Sequence, residues 1–136
     1  MKLCDQTITV FNRRQEEETG YDLYIPTVIN GVSWFCRIEA AVNNGLQAAN
    51  MFVIRIPIDA DTMGREYTDP VSYKNAGSVD NMFTLANGDI IVKAAVAVAP
   101  MTPAELHAAY NDCCTIVGVT DNRHAPNGKH FKVVGK

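Results

Sequence analysis

The chain reads as one mainly β domain, an antiparallel barrel or sandwich of about seven strands, with one short helix (about 102–112) before a C-terminal hairpin. Three observations carry that expectation. β-branched and aromatic runs recur at regular spacing with turn residues between them, which favours a barrel or sandwich. Asn-Gly stands at 30–31, 44–45, 87–88 and 127–128, and both residues tolerate the positive φ of a two-residue hairpin turn. One segment alone carries a strong helical cap and stripe.

The elements follow in order. Residues 7–11 alternate and are rich in β-branched side chains, as a strand requires. The run Glu16-Glu17-Glu18 after Arg13-Arg14 reads as a solvated hairpin tip. Residues 24–29 and 32–38 flank Asn30-Gly31 and are expected to pair as a hairpin. Residues 51–58 form a further strand, with Phe52, Ile54, Ile56 and Ile58 on its buried face. Arg55 shares the other face with Met51 and Val53, and Pro57 places the strand's end at an edge or bulge.

Residues 62–79 break the rhythm with Gly64, Pro70 and Gly77. Loops of that length in compact domains are usually functional or mobile. A short helical turn fits 70–74, and Arg65, Tyr67, Tyr73 and Lys74 are the candidate interface residues. A second hairpin is expected around Asn87-Gly88, joining 82–86 to 89–93 and extended by 94–98. In the helix, Thr102 is the N-cap, Pro103 takes the first helical position and Glu105 completes a capping box. Met101 and Leu106 are placed as a hydrophobic staple, and Leu106, Ala109, Tyr110 and Cys113 form one apolar face. Residues 113–119 and 129–134 then pair as a final hairpin closing the barrel, presenting the turn 121–128.

Composition bounds the function. A chain of 136 residues, 47% hydrophobic and 20% charged, is one globular domain. No apolar run reaches the roughly 20 residues that a membrane-spanning helix needs. No apolar segment follows the first residues, so no signal peptide is expected. The net charge of −3 argues against general affinity for nucleic acid. The closing segment is locally basic, with Arg123, Lys129, Lys132 and Lys136 against Asp121. Cys4, Cys36, Cys113 and Cys114 lack metal-site spacing and read as small, mostly buried, reduced residues. Cys113 and Cys114, being adjacent in a strand, are expected on opposite faces.

Chemistry-bearing patterns are sparse. His107, His124 and His130 match no metal motif, and Asp59-Ala60-Asp61 lacks the glutamate of a calcium loop because Pro70 stands at its place. There is no phosphate loop, no dinucleotide fingerprint and no nucleophile elbow. No nucleophile or acid–base pair is legible, so neither an enzyme nor a cofactor is expected. Trp34-Phe35-Cys36-Arg37 gives a slight hint of a stacking surface for nucleic acid.

The chain resembles small uncharacterised proteins encoded in phages and prophages of Clostridia-like Gram-positive bacteria. The resemblance rests on residues 4–12, 28–34, 55–61 and 87–93, and above all on 118–123 with 130–136. It extends to phage head-closure and head-tail connector proteins, small β-barrels that join the filled head to the tail. It implies a virion structural protein, a connector, head-closure or minor capsid component. Such a protein would form a homo-oligomeric ring that contacts portal and tail-completion proteins, with assembly in the host cytoplasm. It implies no specific nucleic-acid binding and no membrane contact. Within that reading, Asp121, Asn122, Arg123, His124, Lys129 and His130 form the expected protein-contact loop. The alternative is a small nucleic-acid- or ligand-binding barrel with a regulatory role.

Overall fold

The computed structural model describes residues 5–15, 20, 22–41, 47–77, 81–96, 103–110, 112–124, 126 and 128–136. In chain order, β1 (Gln6–Gln15), β2 (Asp22–Ala41) and β3 (Gln47–Pro57) are long strands. Shorter pieces follow: β4 (Glu66–Tyr67), α1 (Pro70–Asn75), β5 (Met82–Phe83) and β6 (Ile90–Val92). The chain ends with α2 (Pro103–Ala109), β7 (Cys113–Asn122) and β8 (His130–Gly135). Six strands close a barrel in the order β1-β2-β3-β8-β7-β6. Every neighbouring pair in it is antiparallel. Closure removes the exposed sheet edges that an open sheet would leave. Outside the barrel, β4 and β5 pair in parallel.

Strand alternation sorts the apolar residues into two cores. One draws on all six barrel strands, including Ile8, Val10, Ile29, Ile54, Ile91, Cys114 and Val133, and fills the interior. The other lies outside the wall, where Phe11, Ile90, Val92 and Cys113 pack under Leu106 of α2. Cys113 and Cys114 therefore do fall on opposite faces, one in each core.

Two expected hairpins are not hairpins. β2 runs straight through Asn30-Gly31, pairing with β1 up to Val32 and with β3 from Ser33 onward. A type I′ turn needs two residues at positive φ. Here Gly31 has φ of 84°, but Met63 is the only non-glycine at positive φ among the described residues. Thr7 pairs with Asn30 and Gln6 with Val32, so Gly31 is the extra residue of a bulge. The bulge bends one stave at a barrel corner. At Asn87-Gly88 the chain does turn, with Asp89 N–H donating to Ala86 C=O at 3.1 Å. Its flanks then part company. β5 pairs with β4, and β6 inserts between β1 and β7. Ile90, Ile91 and Val92 are all buried, so this strand needs cover on both faces.

Other expectations also shift. Residues 94–96 do not extend a strand. They are tied across β1 by Thr9, whose hydroxyl donates to Ala94 C=O at 2.6 Å and accepts from Val96 N–H at 2.9 Å. Pro57 ends β3 but does not lie at an edge, because it pairs with His130 of β8. Ile58, one step beyond, is 56% exposed rather than buried, and Val53 on the other face is buried. α2 is shorter than expected, and Ala109 is exposed while Leu106 is fully buried. The cap and staple at Thr102 and Met101, the turn at 44–45 and the acidic run 16–18 lie outside the described residues. The helical turn expected at 70–74 is present as α1, one residue longer and N-capped by Asp69, whose carboxylate accepts from Ser72 N–H at 3.0 Å. The final hairpin is present as read, β7 against β8, with a bulge between Ile116 and Gly118.

The longest paired stretch past the barrel wall belongs to β2 and β3. β2 and β3 stay paired from Ser33–Arg55 out to Ala41–Gln47. β8 covers β3 only between Phe52 and Pro57. Residues 37–41 and 47–51 thus form a two-stranded ribbon that pairs only with itself among the described residues. Five residue pairs carry it roughly 17 Å.

Candidate functional site

The turn between β7 and β8 is organised by one residue. Asp121 accepts from Arg123 at its backbone N–H (3.0 Å), from Nε at 2.9 Å and 3.0 Å, and from Nη2 at 2.7 Å. These donors hold the Asp121 carboxyl below its ordinary range, and the carboxylate in turn raises Arg123. The planar guanidinium is thereby fixed as a plate over two rings. Its central carbon lies 5.2 Å from the Tyr67 centroid and 5.1 Å from that of Phe131. Tyr67 and Phe131 are 4.4 Å apart, and Tyr67 meets Phe83 edge-on at 5.9 Å. Burial pushes the Tyr67 hydroxyl above its ordinary pKa, against the opposing charge of Arg123.

Two stretches expected as separate contact loops therefore meet. Arg123 of one sits on Tyr67 of the other, and both line a cavity of about 300 Å³ with Arg65, Ile58 and Phe131. Arg65 is anchored by an Nη1–H bond to Thr27 Oγ1 at 2.9 Å. Asn122 and His130 face each other across the hairpin, 3.3 Å between Nδ2 and Nε2. Lys129 contributes its carbonyl to Ile58 N–H at 3.1 Å, and His124 is exposed. Tyr73 and Lys74 do not join this group. They sit on α1 and line a different cavity with Arg13, Arg14 and Asp89.

A buried polar lock that local sequence pattern does not reveal lies beside that second cavity. Asn12 donates from Nδ2 to Thr84 C=O at 2.6 Å and to Asp89 Oδ2 at 2.8 Å, and its Oδ1 accepts from Thr84 N–H at 3.2 Å. Arg13 N–H donates to Asp89 Oδ1 at 3.0 Å. Burial raises the Asp89 pKa, and the Arg13 and Asn12 donors oppose the rise. The lock gives the segment after β5 a side-chain partner in place of a strand. Its sequence signal was a lone asparagine closing the β-branched, alternating run of residues 7–11.

Among the described residues no group of three or more His, Cys, Asp or Glu converges as a metal site. Cys113 and Cys114 are free thiols, pushed by burial to about 11 and about 12 respectively. Cys4 and the Cys36 side chain lie outside the described residues.

The chain belongs to a family of unknown function, DUF6751, which it matches over residues 3–136. No curated protein matches it. No solved structure matches it either.

Proposed function

We propose that this member of DUF6751 is a phage virion structural protein, a head-tail connector, head-closure or minor capsid component that forms part of a ring at the neck. The observation that carries the reading is the self-paired ribbon of residues 37–41 and 47–51. Both of its outer rails leave backbone N–H and C=O groups unpaired with any other strand among the described residues. Such rails are ready-made for strand addition by a neighbour. A shorter stretch of the same kind joins residues 12–15 to 22–25, so the longer ribbon is where we place the contact with the next ring subunit. The resemblance of residues 118–123 and 130–136 to small uncharacterised phage and prophage proteins supplies the setting.

A ring subunit also needs axial faces. The Arg123 turn, stacked on Tyr67, supplies a shaped and locally basic surface for one of them. Its partners are the portal or connector protein on one side and a tail-completion protein on the other. The chain acts by contact rather than catalysis, is built into the virion, and is assembled in the host cytoplasm. Its net charge of −3 suits a channel wall that lets DNA pass.

The test is genetic and physical together. An epitope-tagged copy is expected to cosediment with tailed particles, and deletion of the gene is expected to yield heads without attached tails. Normal tailed particles after deletion, or absence of the tagged protein from purified virions, would overturn the reading.

A further inference from the structure

A second cavity, of about 390 Å³, opens where the end of β1 meets α1 and the turn before β6. The ring reading makes no use of it. Among the described residues Arg13, Arg14 and Lys74 line it, three cations against the carboxylate of Asp89. That carboxylate is already occupied. Its two oxygens accept from Asn12 Nδ2 and from Arg13 N–H, both within 3.0 Å, and only 3% of the residue is exposed. Arg14 is held in place by donation from Nη2 to Ala76 C=O at the C-terminal end of α1. A locally cationic recess in a chain of net charge −3 is an imbalance that a bound anion would correct.

A second observation points to a ligand independently of charge. Tyr73, which lines the same cavity, is 2% exposed, yet its buried hydroxyl has no hydrogen-bond partner among the described residues. An orphaned buried hydroxyl is costly, so such groups are normally satisfied. Burial, with the nearby Asp89 charge, pushes this phenol to about 12, so it stays protonated and serves as a donor. Thr84, also on the cavity wall, has a hydroxyl near that of Tyr67 but without a hydrogen bond of normal geometry.

We propose that this cavity binds the phosphate group of a small phosphomonoester, held by Arg14 and Lys74 with the Tyr73 hydroxyl as a neutral donor. A carboxylate is saturated by one guanidinium, whereas a tetrahedral oxyanion takes donors from several directions. The volume leaves room for a small organic body beside the phosphate. A polyanionic backbone is the poorer source, because the chain as a whole is acidic.

Isothermal titration of the full chain with inorganic phosphate and with glycerol 3-phosphate, at matched ionic strength against sodium chloride, tests this. Saturable binding of both is expected, tighter for the ester. Tyr73→Phe is expected to weaken it about 10-fold while leaving the free protein at least as stable, since it deletes an unpartnered hydroxyl. Lys74→Gln, at an exposed helix position, is expected to weaken it by a similar factor without disturbing the fold. Lys129→Gln, at the other cavity's turn, is expected to bind as the parent does. No saturable binding by the parent chain, or unchanged affinity in either Tyr73→Phe or Lys74→Gln, would overturn the proposal.

Discussion

β3 is one strand with two different surroundings. Residues 52–55 have β2 on one side and β8 on the other, β8 continues to Pro57, and Ile54 and Ile56 are buried in the barrel. Residues 47–51 keep β2 but have no second neighbour among the described residues. In the wall, backbone groups are used up on both sides and side chains fill a core. In the ribbon, half of the backbone capacity is left for something else. Stability is therefore concentrated in one half of the strand and reach in the other. A strand that stopped at Phe52 would serve the barrel as well, so the extra residues need a purpose outside it.

Substitutions placed along this gradient break or sharpen the contrast. The largest effect is expected at Ile54→Ala, deep in the wall, at about 2–5 kcal/mol, read by chemical denaturation. Replacing residues 38–50, in the ribbon, by a short turn is expected to cost less than that in the same assay. Equal losses at the two sites would erase the distinction.

Next comes the seam where the wall ends, at the pairing of Phe52 with Gly135. A Cβ on Gly135 would stand 2.3 Å from Cys114 Sγ. Gly135→Ala is expected to cost about 1–3 kcal/mol. Combining it with Cys114→Ala, in a double-mutant cycle, is expected to restore part of that loss.

A comparable cost, about 1–2 kcal/mol, is expected from Gly31→Ala, which puts a Cβ at φ of 84° in the bulge that bends β2. The loss appears in the barrel's unfolding midpoint.

Asp89 gives the wall a pH signature. Its folded pKa is raised above the unfolded value, chiefly by burial. The stability linked to it is fully present below the ordinary carboxylate pKa and is lost as pH rises through the folded pKa. Denaturation midpoints followed from about pH 3 to pH 7 are expected to show that fall in the parent chain and to lack it in Asp89→Asn. The variant is also expected to start about 1–3 kcal/mol lower, because its amide meets a donor where a carboxylate oxygen stood.

The smallest effect belongs to Asp121→Ala. The pair it breaks is exposed, and such pairs contribute roughly 0–1 kcal/mol. The freed Arg123 is expected to lose its stacking on Tyr67, seen as altered Tyr67 ring resonances by NMR with an unchanged melting temperature.

Much of the fold was legible because burial writes itself into alternation. The opposite faces of Cys113 and Cys114, the final hairpin and the β-rich architecture all follow from local pattern. Asn30-Gly31 misled because a bulge and a turn ask for the same positive-φ glycine, and only the partner strands decide between them. Asn87-Gly88 misled because Asn12, far away in the chain, pairs with the backbone of Thr84 that a hairpin partner would have taken. At the candidate site, Arg123 and Tyr67 were each singled out, but their stacking required closure of the barrel. Asp89 was missed because it was read only as the first residue of a hairpin strand, with nothing local to mark it as a buried acceptor.

The central claim is that the ribbon joins this protein to its neighbours in a virion. The most direct measurement compares purified particles carrying a tagged parent chain with particles carrying a version in which a short turn replaces residues 38–50. The parent is expected in the particles at a constant copy number, and the shortened chain, folded as judged by circular dichroism and melting temperature, is expected to be missing from them. Equal incorporation of both chains, or absence of the parent chain from the particles, would contradict the claim.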